Sequence, residues 1–97
     1  MYASIRRYEL LPRDVPELRK RVQEKFVSIV SQLPGFVSYD VIEAENGVVV
    51  SVSVFEDESA AAESARRAAA WVDQDAADLI RQARQVTTGE VTVHQGR

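Results

Sequence analysis

The sequence has no cysteine and a single histidine, His94, among its 97 residues. The lack of cysteine excludes disulfides, thiolate catalysis and cysteine-ligated zinc or iron–sulfur sites. His94 is the one imidazole available for acid–base chemistry near neutral pH. Glu90 would share a strand face with it, but about 13 Å of extended chain would separate the two, too far for one metal ion. We expect neither a metal nor a cofactor.

A strong excess of charge of either sign is also absent, and proline and glycine are scarce. Three prolines and four glycines leave no linker or repeat, so we expect one domain over residues 1–97. The net charge is −3 and basic clusters such as Arg66-Arg67 are interleaved with acids, which argues against a nucleic-acid partner. No apolar run is long enough to cross a bilayer, and the N-terminus lacks a signal-peptide pattern. We therefore expect a cytoplasmic protein with no membrane partner.

Hydrophobic periodicity and turn residues predict a β-α-β-β-α-β order of elements. The predicted segments are a strand at Tyr2–Glu9, a helix from Asp14 to Leu33, a hairpin at Phe36–Phe55, a helix from Asp57 to Val72 and a strand at Val86–His94. Asp14 is the expected N-cap of the first helix and Asp57, or else Ser59, that of the second. Right-handed crossovers make this order an α+β, ferredoxin-like sandwich: a four-stranded antiparallel sheet with both helices on one face. The first and third strands should be central, with the last strand beside the first.

The Asn46-Gly47 pair between two valine-rich strands is a strong hairpin signal, because both residues tolerate positive φ. A two-residue loop would place Glu45 opposite Val48 and fix the register. Two groups of side chains follow from that register. The helix side would receive Tyr39, Val41, Val50, Val52 and Val54. The uncovered side would receive Ser38, Asp40, Ile42, Val49, Ser51, Ser53 and Phe55.

The uncovered face of the sheet is expected to mix aromatic, aliphatic and charged side chains. The first and last strands would add Tyr2, Ser4, Arg6, Tyr8, Thr88, Glu90, Thr92 and His94 to it. A solvent-facing sheet would carry fewer aromatic side chains. We therefore expect this face to be buried in a homodimer that apposes two sheets. The alternative is a monomer with an amphipathic open face.

Three stretches carry a resemblance to a known family: Leu33-Pro34-Gly35-Phe36 before the second strand, Val-Ser-Val-Phe55 at the end of the third, and Ala-Ala-Ala-Trp71 late in the second helix. With the order of elements, the chain resembles the dimeric α+β barrel superfamily, and its antibiotic biosynthesis monooxygenase-like domains in particular, over nearly its whole length. The resemblance implies a homodimer whose sheets form a barrel, with a cavity between each subunit's sheet and helices. Members include cofactor-independent monooxygenases acting on polycyclic phenols, haem-degrading enzymes and proteins without known activity.

Haem degradation is not expected from this resemblance. The haem-degrading members use an asparagine on the first strand, a tryptophan late in the second helix and a histidine on a helix. Trp71 matches the tryptophan in position and kind. The first strand, however, offers Arg6 and Arg7 in place of asparagine, and His94 falls on the last predicted strand.

Asp40 and His94 are the candidate catalytic residues, each as a general base. A desolvated Asp40 would suit proton abstraction from a phenol or an activated carbon, and a structural hydrogen bond to Ser53 is the alternative. His94 could act as the base, or could be an exposed or interface residue near the C-terminus.

The candidate substrate-binding residues are Arg6, Tyr8, Ser53, Phe55 and Trp71. Arg6 either pairs with Glu90 across neighbouring strands or orients an acidic or phenolic substrate. Trp71 either fills the core or stacks on a flat aromatic substrate. Tyr8 is a candidate proton donor, and Ser53 and Phe55 would share the polar–aromatic sheet face with it.

Two functional hypotheses follow. The first is a cofactor-independent, monooxygenase-like or isomerase-like enzyme acting on a small aromatic or polyketide-type molecule, where the deprotonated substrate itself reduces dioxygen. The second is a non-catalytic small-molecule-binding or dimerisation module. In the strictly non-binding form of the second hypothesis, no cavity of the few hundred Å³ typical of ligand sites would be present.

Overall fold

A computed structural model of the chain describes residues 1–82 and 85–96. Its strands are β1 (Tyr2–Glu9), β2 (Phe36–Glu43), β3 (Val48–Phe55) and β4 (Gln85–Glu90). Helix α1 is continuous through three segments, the α-helical Val15–Arg21, the π-helical Val22–Phe26 and the α-helical Val27–Ser31. Helix α2 spans Glu58–Asp75, and short 3-10 turns lie at Pro12–Asp14 and Glu45–Gly47.

The sheet has the strand order β2-β3-β1-β4, and all neighbouring strands are antiparallel. The predicted α+β, ferredoxin-like fold is therefore confirmed, with β1 and β3 in the centre and β4 beside β1. None of the helices formed by the described residues has the length and apolar character needed to span a membrane.

Strand β4 is shorter than predicted and ends at Glu90, opposite Tyr2. One further hydrogen bond joins Val91 N to the Met1 carbonyl oxygen at 2.8 Å. The pairing then stops because β1, its partner strand, starts at Tyr2. The prediction that the last strand continues to His94 is wrong, and residues 91–96 have no regular secondary structure.

The β2–β3 loop contains three residues rather than the predicted two. Glu43 lies opposite Val49, so Glu45 belongs to the loop. Asn46 and Gly47 both adopt positive φ, 60° and 80°, as an Asn-Gly pair predicts. Three-residue loops that end on a left-handed residue are the next most common hairpin connection. The predicted register of the hairpin is wrong by one residue.

This one-residue shift reverses the predicted faces of β3, because side chains alternate along a strand. Beneath the helices lie the buried Val49, Ser51, Ser53 and Phe55. Strand β1 is in register with β3, so its buried inner residues are Ser4, Arg6 and Tyr8. The predicted helix-side residues Val50, Val52 and Val54 lie instead on the uncovered face and are partly exposed. The placement of Tyr39 on the helix side is correct, since its ring contacts Phe26 of α1.

The buried residues of α1 recur at every fourth position: Leu18, Val22, Phe26 and Val30. In a regular α-helix, residues four apart rotate away from one another by about 40° per step. The π-helical segment Val22–Phe26 has wider turns, which keep this row on the side facing the sheet. The segment thereby directs Val22 and Phe26 at the space between helix and sheet.

The two predicted N-caps have different outcomes. Asp57 caps α2 as predicted, because its Oδ1 accepts a hydrogen bond from Ala60 N at 2.9 Å. Asp14 makes no side-chain cap hydrogen bond, since it lies in a 3-10 turn with φ −92° and ψ −8°. Helix α2 continues to Asp75, so Trp71 lies within its last turns.

Candidate functional site

A cavity lies between the inner face of the sheet and the two helices. Its volume is about 40 Å³, which accommodates a few water molecules. The lining side chains are Arg6, Tyr8, Leu18, Val22, Phe26, Val30, Tyr39, Val41, Val49, Ser51, Ser53, Ser64, Ala68, Trp71, Val72 and Ile80. Most of this wall is apolar, with polar groups contributed mainly by the central strands.

Three aromatic rings from three elements meet at the cavity. The ring centroid of Phe26 lies 5.6 Å from that of Tyr39 in an edge arrangement and 5.2 Å from that of Trp71 in a tilted one. Such contacts favour fixed ring orientations and contribute about 0.5–1.5 kcal/mol each beyond surface burial. Three aromatic side chains thus form part of the cavity wall and hold one another in place.

Arg6 places a positive charge on this wall. The residue is only 5% exposed, and its Nη2 donates to the Ala65 carbonyl oxygen of α2 at 2.9 Å. Among the described residues, no carboxylate lines the cavity and no ion pair includes Arg6. A buried guanidinium without a counter-charge is costly for the fold.

Two serine hydroxyls of the cavity wall already have protein partners. Ser53 Oγ donates to the Ser4 carbonyl oxygen at 3.4 Å, and Ser64 Oγ donates to the Ala61 carbonyl oxygen at 2.8 Å. These bonds satisfy the hydroxyl protons, while each oxygen retains capacity to accept.

Tyr39 is a neutral phenol at any ordinary pH. Burial raises the pKa of Tyr39 well above its usual value, and Tyr8 adds to the rise, whereas Ser51 and Arg6 act in the opposite direction. Burial dominates because the charged phenolate would lose its hydration. Tyr39 therefore faces the cavity as a hydroxyl that can donate a hydrogen bond.

Trp71 carries a polar atom that the fold leaves unsatisfied. Its Nε1 is buried and has no hydrogen-bond partner among the described residues. An unpaired buried donor costs about 1–3 kcal/mol. An acceptor atom supplied by a ligand in the cavity would remove this cost.

A groove of about 340 Å³ lies outside the cavity, between α1 and the edge strand β2. Val22, Tyr39 and Val41 line both spaces, so they form the wall between them. Arg19 and Glu43 stand at the groove and form an ion pair that links the helix to the strand.

The predicted substrate-binding residues are mostly brought together. Arg6, Tyr8, Ser53 and Trp71 all line the cavity. Phe55 does not: it is fully buried in the core, with its ring 5.9 Å from that of Phe36.

Two predicted polar contacts are not formed, because the strand registers differ from those expected. Arg6 lies opposite Val86, and Glu90 lies opposite Tyr2, so no Arg6–Glu90 pair exists. Ser53 lies opposite Tyr39 rather than Asp40.

The two candidate bases lie outside the cavity of a single chain. Asp40 is exposed on β2 opposite Val52, which places it on the uncovered face of the sheet. His94 is exposed and lies beyond the end of β4. Their catalytic roles stay predictions.

Sequence reasoning did not assign a role to Phe26 or Ser51, and it gave Tyr39 only as a possible proton donor that could instead simply pack. The apolar residues Leu18, Val22, Phe26 and Val30 are four positions apart. This spacing is the sequence signal for the π-helical segment, which directs Phe26 at the cavity. Ser51 was assigned to the uncovered face, because a serine alternating with valines in a strand normally indicates solvent. Here Ser51 lines a cavity, so a serine that alternates with valines in a strand can also mark a buried cavity wall.

In the described part of the chain, no three histidine, cysteine, aspartate or glutamate side chains come together in a way that could hold a metal ion. The donor set of the cavity wall, an arginine with indole, phenol and serine groups, is likewise not one that binds metals.

Solved structures share this fold. A protein of unknown function from Nitrosomonas europaea has a TM-score of 0.84 at 15% identity, over 99% of this chain and 93% of that one. A monooxygenase from the gene ActVA-Orf6 of Streptomyces coelicolor, in complex with nanaomycin D, has a TM-score of 0.80 at 15% identity, over 99% and 91%. The heme-degrader MhuD of Mycobacterium tuberculosis, with two hemes bound in its active site, has a TM-score of 0.78 at 21% identity, over 99% and 100%. At these identities the likeness is one of fold alone.

No curated protein matches the chain. The sequence profile of the antibiotic biosynthesis monooxygenase family matches residues 1–74. That match runs from the start of β1 almost to the end of α2 and includes most of the cavity wall.

Proposed function

Since the chain belongs to the antibiotic biosynthesis monooxygenase family, we propose that it is a cofactor-independent monooxygenase acting on a small aromatic or polyketide-type molecule. The observation that supports this most is the buried Trp71 indole N–H without a partner, in a cavity walled by aromatic rings. Structural relatives that bind nanaomycin D or heme show that this fold can accommodate flat polycyclic ligands.

The substrate would lie against the rings of Phe26, Tyr39 and Trp71. One of its oxygen atoms would accept a hydrogen bond from Trp71 Nε1, and Arg6 would hold a second, charged oxygen. Both groups stabilise negative charge on the substrate and so favour its ionised form, which is the form that donates an electron to O₂. Asp40 and His94 remain candidate bases by prediction, since neither lines the cavity of one chain.

The reaction balances without an added reductant. One CH₂ group of the keto form of a phenol and one O₂ give one carbonyl group and one water. Loss of a proton gives an electron-rich anion, which transfers an electron to O₂ and then forms a C–O bond as a hydroperoxide. Loss of water from the hydroperoxide leaves the carbonyl, so carbon loses four electrons and O₂ gains four.

The cavity must widen to take such a substrate. Ligand sites typically measure about 300–1,000 Å³, and the present space is about 40 Å³. Displacement of Val22, Tyr39 and Val41 toward the outer groove would join the two spaces. The π-helical segment, which contains Val22, is a geometry often found at functional sites.

The same proposal includes a homodimer formed through the uncovered sheet face. The apolar residues of this open face are Ala3, Ile5, Ile42, Val50, Val52 and Val54. Ile5 is 41% and Ile42 50% exposed, and they lie beside Val52 and Val50, so the exposed apolar surface is contiguous, as at protein interfaces. Apposition of two such faces would bury this apolar area and leave the cavity on the other side of the sheet. We place the activity in the cytoplasm, with which the lack of cysteine agrees.

A non-catalytic small-molecule-binding or dimerisation module is the second candidate function. The small volume of the closed cavity favours it, because a protein that turns over bulky substrates usually has a largely preformed site.

Oxygen uptake distinguishes the two candidates. Purified protein is incubated with dihydroxynaphthalenes and anthrones, with and without a metal chelator, and quinone absorbance and dissolved O₂ are recorded. The proposal expects chelator-resistant uptake above the protein-free rate, at least about ten-fold lower in Trp71→Phe, from loss of a hydrogen bond to the developing charge. Glu63→Gln, on the exposed side of α2, is the matched control and should retain the rate. Uptake equal to the protein-free rate with every substrate would overturn the enzyme proposal.

A further inference from the structure

Arg6 is a buried cation that has no counter-charge among the described residues. It occupies the middle of the central strand β1, between Ser51 of β3 and Val86 of β4. Within the described part of the chain, its one acceptor is the carbonyl oxygen of Ala65. A guanidinium has five N–H donors, so most of its hydrogen-bonding capacity is not used by this contact.

Other arginine side chains differ from Arg6 because they form ion pairs with carboxylates. The ion pairs among the described residues lie at the surface, for example Arg19–Glu43 and Arg21–Asp78. The cavity wall contains no described carboxylate that could pair with Arg6. The fold therefore keeps a cation in a low-dielectric space that excludes its counter-ion, which is costly unless a ligand supplies the negative charge.

The remaining polar groups make the cavity rich in donors. Trp71 Nε1–H is buried without an acceptor, and an indole nitrogen can only donate. The Tyr39 hydroxyl is protonated and can donate as well. A ligand that satisfies these groups must bring acceptor oxygens, and at least one of them must be charged to balance Arg6.

We infer that the ligand of this cavity is an aromatic anion, a carboxylate or a phenolate, whose negative oxygen is bound by Arg6 while Trp71 Nε1 donates to a further acceptor. The inference rests on the proposed use of the cavity as the substrate site, but it does not require any oxygenation. For a phenol, the Arg6 charge would favour the ionised form in the cavity. That ionised form is the one that gives electrons to O₂.

The test compares an anionic probe with a neutral one of the same shape, 2-naphthoate and 2-naphthalenemethanol. Trp71 is the only tryptophan, so its fluorescence reports binding at the cavity without labelling. Wild-type protein should bind 2-naphthoate at least about ten-fold more tightly, the effect of one charge-assisted hydrogen bond. In Arg6→Met the preference for 2-naphthoate over the alcohol should fall below about two-fold, because the charge-assisted hydrogen bond is lost. Affinity for the alcohol should be retained.

Arg7→Met is the matched control, because Arg7 is the next residue of β1 and its side chain lies on the opposite side of the sheet. This variant loses the same net charge and should keep the full preference for the anion. Arg6→Lys should keep part of it, since the charge remains but the planar fork is lost. If Arg6→Met does not fold by circular dichroism, the wild-type and Arg6→Lys titrations still decide the question.

A further titration, with 2-naphthol near neutral pH, tests whether the cavity binds a phenolate. Binding as the anion would produce the naphtholate absorption band with wild type and Arg7→Met, and not with Arg6→Met. If only 2-naphthoate binds selectively, the ligand is a carboxylate. Both results support an anion.

Each failure has its own meaning. Equal affinity for the two matched probes, or an anion preference that Arg6→Met retains, would overturn the inference while leaving a binding site. No binding of any probe would overturn both the inference and the proposed substrate site. An anion preference without oxygen uptake would refute the monooxygenase and leave the anion site intact.

Discussion

Arg19 of α1 donates two hydrogen bonds to the Glu43 carboxylate at the end of β2, Nε to Oε2 at 2.5 Å and Nη2 to Oε1 at 2.7 Å. This bidentate pair links the helix and the edge strand that border the groove outside the cavity. The proposed widening of the cavity toward the groove would separate these two elements. The pair is thus positioned to oppose the proposed entry of a substrate.

Glu43→Gln should make Trp71 more accessible to acrylamide, a small neutral quencher of indole fluorescence. The substitution removes the charge from the pair, and an exposed pair of this kind contributes at most about 1 kcal/mol. We therefore expect the Stern–Volmer quenching constant to rise by up to about five-fold. The melting temperature should change little.

The matched control for this experiment is Glu63→Gln. Glu63 pairs with Arg66 on the surface of α2, three residues away on the same helix, so its loss separates no elements. Quenching in Glu63→Gln should equal that of wild type. An identical increase in both variants would show that the Arg19–Glu43 pair does not limit access to the cavity.

The quenching constant of wild-type protein should also depend on pH. The hydrogen bonds from Arg19 lower the pKa of Glu43 below its usual value. The pair is therefore fully formed above the ordinary pKa of glutamate, and it is lost as the pH falls through the lowered folded value. Quenching should rise only in that acidic range, and Glu43→Gln should lack this step. A step of equal size in Glu43→Gln would assign the pH dependence to another group.

Gly47→Ala should destabilise the protein by about 2–3 kcal/mol in urea unfolding. Gly47 has φ 80°, and a Cβ would lie 2.1 Å from the Leu10 carbonyl oxygen. Gly89→Ala is the control, since a Cβ there meets nothing within 4 Å, and it should remain within about 0.5 kcal/mol of wild type. Equal unfolding midpoints for Gly47→Ala and wild type would contradict the close approach of the hairpin loop to the β1–α1 connection.

Val52→Lys should dissociate the proposed homodimer. Val52 lies opposite Ile5 in the middle of the open face, where a lysine would be buried by the second sheet at a cost of several kcal/mol. Sedimentation equilibrium should show a dissociation constant raised at least about 100-fold. Val93→Lys is the control, because Val93 is 87% exposed and outside the sheet. A wild-type monomer at micromolar concentration would refute the dimer outright.

The fold was predictable because its signals are local and redundant. The Asp57 cap and the apolar spacing of the helices each identify an element without knowledge of its neighbours. The Asn-Gly pair likewise identified the hairpin and the positive φ of both residues. It did not fix the loop length, because two-residue and three-residue loops both use such residues. The one extra residue of the loop decides which face of β3 points at the helices. Because β1 pairs with β3, it decides the same for β1.

The candidate site was predictable in part of its membership and not in its placement. Arg6, Tyr8 and Ser53 were grouped correctly, because the pairing of β1 with β3 does not depend on the loop. Their face was predicted to be uncovered, since polar residues alternating with valines normally mark the solvent side. In this chain the polar row lines an internal cavity and the valines form the open face. If the cavity binds a ligand, as proposed, it is a place where the usual meaning of the polar–apolar pattern is expected to fail.

The most direct test of a ligand site in this cavity is the indole Nε1–H resonance of Trp71 in a ¹⁵N-resolved NMR titration. A single tryptophan gives one such resonance, and its nitrogen has no protein acceptor among the described residues. Titration with 2-naphthoate should move this peak downfield in saturable fashion, as a new hydrogen bond forms, together with amides of Ser51, Ser53 and the π-helical segment. A peak that stays fixed while amides elsewhere shift would place the ligand outside the cavity and contradict the account.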